Sequence, residues 1–145
     1  MCWNALFEFA ARVMVPVLFR GAVVGEPGRT AVIGGLPELK GKLALDFIIV
    51  NGENAAGGRG ISPKITIDLL RAGVSVITTG DHIWDQRALA PFLDTKPRLV
   101  HQLNYPEGAP GCAAIVLQQA QGRGGVISVR AGNLMQPALE QRFQP

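Results

Sequence analysis

A chain of 145 residues, 48% hydrophobic and 17% charged, has the length of one ordinary domain, enough apolar matter for a core and too little charge for disorder. Its formal charge of +3 is spread over arginines scattered from Arg12 to Arg142, without runs or aromatic interleaving, which argues against a dedicated nucleic-acid surface. The two cysteines, Cys2 and Cys112, match no zinc or redox spacing and read as free thiols of a reducing cytoplasm.

The opening stretch "MCWNALFEFAARVMVPVLF" is apolar, but Glu8 and Arg12 interrupt it and no basic segment precedes it. It therefore reads neither as a signal peptide nor as a membrane span. Residues 1–13 are expected to be an appended short helix or an extension, with the domain proper at 14–145. "VPVLF" reads as a first strand, and "GAVVGEPGR" as a glycine-rich turn with Pro27 suited to a first helical turn. "TAVIGGLPELKGKL" predicts a poor, interrupted helix, because Gly34, Gly35 and Pro37 all oppose it. "ALDFIIV" reads as a strand buried on both faces. After the loop "NGENAAGGRG", "SPKITIDLLRAG" carries helix signals: Ser62 as N-cap, Pro63 in first position, Gly73 as the stop. "VSVITT" is a third strand, "GDHIWD" a loop, "DQRALAPFL" a short helix and "RLVHQLNYP" a strand running into a turn. The tail "CAAIVLQQAQGRGGVISVRAGN" reads as a hairpin around "QGRGG". Alternating strands and helices predict an α/β fold, a parallel sheet with helices on both faces.

Loops that follow successive parallel strands share one sheet edge, where open α/β sheets bind ligands. That edge collects Glu53, Asn54, Asp81 and His82, with Asp85 nearby. Oxygen and imidazole groups converging there suit a divalent transition metal, or general acid catalysis. Taken singly, Glu53 and Asp81 read as caps for the helices that follow, and His82 as a loop residue; taken together, the metal reading moves ahead. Other motifs fall away. "GLPELKGKL" imitates a P-loop but has one residue too many between its glycines, and Leu43 where Ser or Thr is needed. No dinucleotide fingerprint or nucleophile elbow is present. Trp84 could stack on a base, with a core or rim role as the plainer reading.

The ordered stretches "VLFRGAVVGEPGR", "DFIIVNGENAAGGRGISPKI", "GVSVITTGDHIWD" and "PRLVHQLNYPEGAPG" resemble the YmdB-like calcineurin-type metallophosphoesterases, a family of bacterial 2′,3′-cyclic-nucleotide phosphodiesterases. The resemblance implies a Rossmann-like parallel sheet flanked by helices, the N-terminal half of a four-layer αββα sandwich. It also implies a dinuclear iron or manganese site, where a metal-bound hydroxide attacks the phosphate of a small cyclic nucleotide. On that pattern Glu53 bridges the metals, Asn54 and Asp81 are ligands, and His82 protonates the leaving oxygen. Asp81 replaces the family's asparagine, a mild change, but Ala22 stands where the family has a ligating aspartate. The family's remaining ligands are histidines of a second half, and His101 sits where the pattern has none. The resemblance thus implies impaired activity. The alternatives are a non-catalytic remnant that binds or self-associates, and one half of a split enzyme completed by a second chain. Either way a cytoplasmic protein without a membrane segment is expected, with Ile115, Val116, Leu117, Val126 and Ile127 left exposed by the absent half.

Overall fold

The apolar run at 47–50 becomes the second strand of a four-stranded parallel sheet in the computed structural model, which describes residues 15–119 and 122–129. The expected extension at 1–13 lies outside these residues. The strands are β1 (Val17–Arg20), β2 (Phe47–Asn51), β3 (Val76–Thr78) and β4 (Leu99–Val100), in the order β1-β2-β3-β4. Val17 pairs with Phe47, Ile49 with Val76 and Ile77 with Leu99.

Helix α1 (Gly25–Lys42) runs unbroken for 18 residues, where the sequence predicts an interrupted one. Pro27 sits in the first turn, where no intrahelical bond is lost, but Pro37 lies in the interior and costs one. Packing outweighs that cost: Leu36 is buried in the core and Val32 leans against it, anchoring the helix on either side of the two glycines. Glu26 in the first turn and Lys40 and Lys42 in the last complement the helix dipole.

Helix α2 (Pro63–Arg71) follows its sequence signals. The Ser62 hydroxyl accepts from the Ile65 amide at 3.3 Å, Pro63 occupies the first turn, and Gly73 ends the segment at φ +104°. The helix expected over 85–93 shrinks to one turn, α3 (Ala90–Leu93), preceded by a 3₁₀ turn at Asp81–Asp85. Pro91 explains the late start, since proline is tolerated in a first turn and not in an interior.

Residues alternate across the sheet, so its two faces carry different partners. Ile48, Val50, Ile77 and Leu99 face the helices and pack with Leu36, Leu69 and Leu93. Val76 and Val100, with Ile49, form the other face. The expectation of helices on both faces is corrected here. All three described helices sit on one side, and the second side carries the antiparallel hairpin β5 (Ala114–Gln119) and β6 (Gly122–Ile127). The hairpin supplies Ile115, Leu117 and Val126 to this second core, so these three are not exposed as expected. Val116 and Ile127, pointing the other way, are exposed at 69% and 62%. Gly122, Gly124 and Gly125 belong to β6 rather than to a turn. Gly124 has a packing reason: a Cβ there would fall 2.4 Å from the Phe47 ring, so only glycine lets the hairpin lie on β2.

Candidate functional site

The carboxyl ends of β2, β3 and β4 open onto a cleft of about 350 Å³, whose polar wall includes Asn51, Glu53, Thr78, Thr79, Asp81 and Gln102, with Ser128 on the hairpin side. Phe19, Ile127 and Val129 make an apolar side. Backbone bonding fixes this edge. Gly52 N donates to Thr78 O at 2.9 Å, tying the β2 loop to β3, and Thr79 donates to Val100 O through both its amide and its hydroxyl. The β1 loop is tied in the same way: Val23 N donates to Asn51 O and Gly25 N to Asn54 O. Gly52 is required by space, since a Cβ there would meet Ile61 Cδ1 at 2.9 Å and Ile77 Cγ2 at 3.0 Å.

Glu53 is aimed by its neighbours. The Asn51 side-chain oxygen accepts from the Glu53 amide at 3.3 Å, an Asx-type turn that starts the loop. The Glu53 carboxylate then lies over Gly80, close enough that a Cβ on Gly80 would stand 1.1 Å from Oε2. The residue after Gly80 is Asp81, so the two carboxylates line one cleft. Glu53 does not cap α2, whose first turn is held by Ser62.

The other sequence candidates are placed differently. Asn54 stands one step behind the cleft wall and donates from Nδ2 to Glu53 Oε1 at 3.4 Å. His82 is not part of that wall. Its Nδ1 lies 2.9 Å from Asp85 Oδ2, an oxygen that also accepts from Arg59 Nε at 2.9 Å. Ala22 is exposed in the β1 loop and brings no polar side-chain atom. His101 is buried, with Nδ1 2.8 Å from Gln102 O and its ring beside Tyr105, which also meets Trp84 edge-on at 5.5 Å. Trp84 thus leans on the core, the plainer of its two readings. Thr78, Thr79 and Gln102 are wall residues that sequence reasoning passed over. The signal was available: "VITT" and "LVHQ" each end an apolar strand in polar residues at the ligand-binding edge.

Among the described residues, the wall holds two carboxylates and no lysine, arginine or histidine. A phosphoester would meet repulsion there unless a cation lay between. Among the described residues, no three or more His, Cys, Asp and Glu side chains group so as to hold a metal ion. The carboxylate, amide and hydroxyl oxygens of the wall are the donor types that a hard cation takes. No helix among the described residues is long and apolar enough to cross a membrane. Cys112 is a free thiol, as expected, and Cys2 lies outside the described residues.

The architecture recurs in known proteins. A Bacillus subtilis (strain 168) protein named 2',3'-cyclic-nucleotide 2'-phosphodiesterase is 41% identical over 127 residues, 88% of this chain and 48% of that protein. A putative phosphatase/phosphodiesterase of Mycoplasma pneumoniae is 39% identical over 90 residues, 62% of this chain and 32% of its own length. The crystal structure of a hypothetical protein from Thermus thermophilus superposes with a TM-score of 0.78 at 36% identity, covering 86% of this chain and 48% of that one. A novel phosphatase from Mycoplasma pneumoniae gives 0.79 at 28% identity, covering 89% and 48%. The chain spans about half the length of the Bacillus relative and of both solved chains. The model of the YmdB-like protein family matches residues 18–145, a stretch that takes in every described side chain of the cleft, and the chain belongs to that family.

Proposed function

We propose that the cleft is the phosphate-facing part of a metal-dependent phosphoester hydrolase acting on small 2′,3′-cyclic nucleotides. The observation that carries the reading is the Glu53 carboxylate seated over Gly80 beside Asp81, at the ligand-binding edge of a parallel sheet. The two carboxylates would hold a single divalent ion, with manganese favoured over iron because the donors are oxygens. Such an ion would supply positive charge against the phosphate and acidify a water. Asn54 steadies the Glu53 carboxylate from behind. Asp85 holds His82 through Nδ1 outside the cleft wall, so Nε2 would pass a proton only to the leaving oxygen of a substrate that extends past the wall to it.

Ala22 offers no oxygen, and two carboxylates hold an ion weakly, so turnover by this chain alone is expected near background. The test is titration with Mn²⁺ alongside hydrolysis of a 2′,3′-cyclic nucleotide. Saturable binding that Glu53→Gln weakens supports the reading, and no binding by the wild-type chain overturns it. A second reading, a non-catalytic module that self-associates, draws on exposed apolar side chains: Val17 and Val116, with Phe19 and Ile127 of the cleft. The partner would then be a second copy, or a separate chain that completes the sandwich.

A further inference from the structure

The reading of the cleft as a cation site leaves one wall residue unexplained. Gln102 follows the end of β4, is only 3% exposed, and lines the same cleft as Glu53 and Asp81. Its amide is not free to turn over. Nε2 donates to Thr79 O at 2.9 Å, and exchanging the two ends would set oxygen against oxygen. The orientation is therefore fixed, and among the described residues it leaves Oε1 buried without a hydrogen-bond partner. A buried acceptor in that condition costs about 1–3 kcal/mol, and such a group in a folded protein calls for a cause. An apolar side chain of similar size would avoid the cost.

The chemistry of the surroundings narrows the cause. A carbonyl oxygen is satisfied by a proton donor or by a cation. The neighbouring wall groups Glu53 and Asp81 are carboxylates, which draw a cation to this place rather than a second acceptor. A neutral amide oxygen is also the ligand that adds coordination without adding like charge. We infer that Gln102 is a further oxygen ligand of the cleft, presenting Oε1 to the divalent cation held by Glu53 and Asp81. The inference rests on the cation reading proposed above and extends it to β4, a strand that contributes no charged side chain to the cleft. Its bond to Thr79, and the bridge its backbone makes to Ser128 of the hairpin side, hold the amide in place at the cleft.

Binding of Mn²⁺ is followed by electron paramagnetic resonance of the free ion, with thermal melting of each protein in the absence of metal. The proteins are wild type, Gln102→Leu, Gln102→Met, Gln102→Glu and Glu53→Gln. Loss of the oxygen in Gln102→Leu or Gln102→Met should weaken Mn²⁺ binding roughly tenfold. Gln102→Glu, which keeps an oxygen, should bind at least as well as wild type. The metal-free melting temperatures of the Leu and Met variants should not fall below that of wild type by more than a few degrees. Wild-type affinity in the Leu and Met variants overturns the inference and marks Gln102 as a frustrated core residue. If Leu fails to fold, the Met variant carries the decision; if both fail, loss of Mn²⁺ binding in Gln102→Glu overturns the inference and retained binding supports it. Should Glu53→Gln lose binding while the Gln102 variants keep it, only this inference falls. A wild-type chain that binds no Mn²⁺ removes the cation reading and this one together.

Discussion

In Gly80→Ala the new Cβ would stand 1.1 Å from Glu53 Oε2, 2.4 Å from Cδ and 3.3 Å from Cβ. Real Cβ atoms keep about 3 Å from such neighbours, so the carboxylate must retreat by roughly 2 Å. Glu53 can do this by rotating its side chain, because the atoms in conflict lie at its far end. The backbone at Gly80, with φ −140° and ψ −148°, lies just beyond the extended region that alanine favours, so the added side chain carries a modest backbone cost. Replacing a glycine there removes freedom from the unfolded chain and favours folding by about 0.4–1 kcal/mol, set against that cost and the tight contact to Glu53 Cβ. Net stability should stay within about 1 kcal/mol of wild type. The site, in contrast, loses one of its two carboxylates. Divalent-ion affinity should fall at least tenfold, or about 1.4 kcal/mol. Urea denaturation and calorimetric Mn²⁺ titration read the two effects separately. A Gly80→Ala protein that folds and binds Mn²⁺ as wild type does would refute the placement of Glu53, and with it the cation site.

Ala22→Asp returns an oxygen donor to the β1 loop, which is tied to the β2 loop through Val23 and Asn51, and should strengthen Mn²⁺ binding without producing turnover. Calorimetry and a cyclic-nucleotide assay run together check both halves of that statement. Gly34→Ala and Gly35→Ala lie in the body of α1 with no atom within 4 Å of the added Cβ, so each should stabilise the protein by about 0.5–1 kcal/mol in urea denaturation. Val17→Lys with Val116→Lys places charge on exposed apolar positions of β1 and β5 and should shift the sedimentation profile toward monomer; an unchanged profile would count against self-association through these faces.

The strands and the cap of α2 were legible because they follow from local chemistry. Ser62, Pro63 and Gly73 each act through the backbone within a few residues, and the run at 47–50 announces burial on both faces. The continuity of α1 was not legible, because Pro37 and the glycine pair speak locally while Leu36 is held by residues far along the chain. The identity of the second layer was hidden for a related reason. A near-continuous apolar strand states that both faces are covered and does not state by what; here Gly124 over Phe47 decides in favour of a hairpin. At the cleft, the pattern placed Glu53 and Asp81 at the right edge but could not foresee that His82 turns to Asp85, a contact set by the 3₁₀ turn over 81–85. Gln102 went unnoticed because a single glutamine after a two-residue strand carries no periodicity, and its meaning lies in an unpartnered atom.

The fold gives the Glu53 side chain little structural work, and that makes its role testable apart from stability. Among the described residues its carboxylate takes one long bond, 3.4 Å from Asn54 Nδ2, while the bond that shapes the loop is made by its backbone amide to Asn51. The helix that a cap would serve is already capped by Ser62. Glu53→Gln keeps the shape, keeps an oxygen for Asn54 and removes the charge. If the carboxylate exists to hold a cation, metal-free stability should stay within about 0.5 kcal/mol of wild type while Mn²⁺ affinity falls at least tenfold. A structural carboxylate predicts the reverse, a loss of more than about 1 kcal/mol in stability with affinity unmoved. Denaturation and titration of the same two proteins therefore separate the readings, because no single contact of Glu53 can produce both patterns.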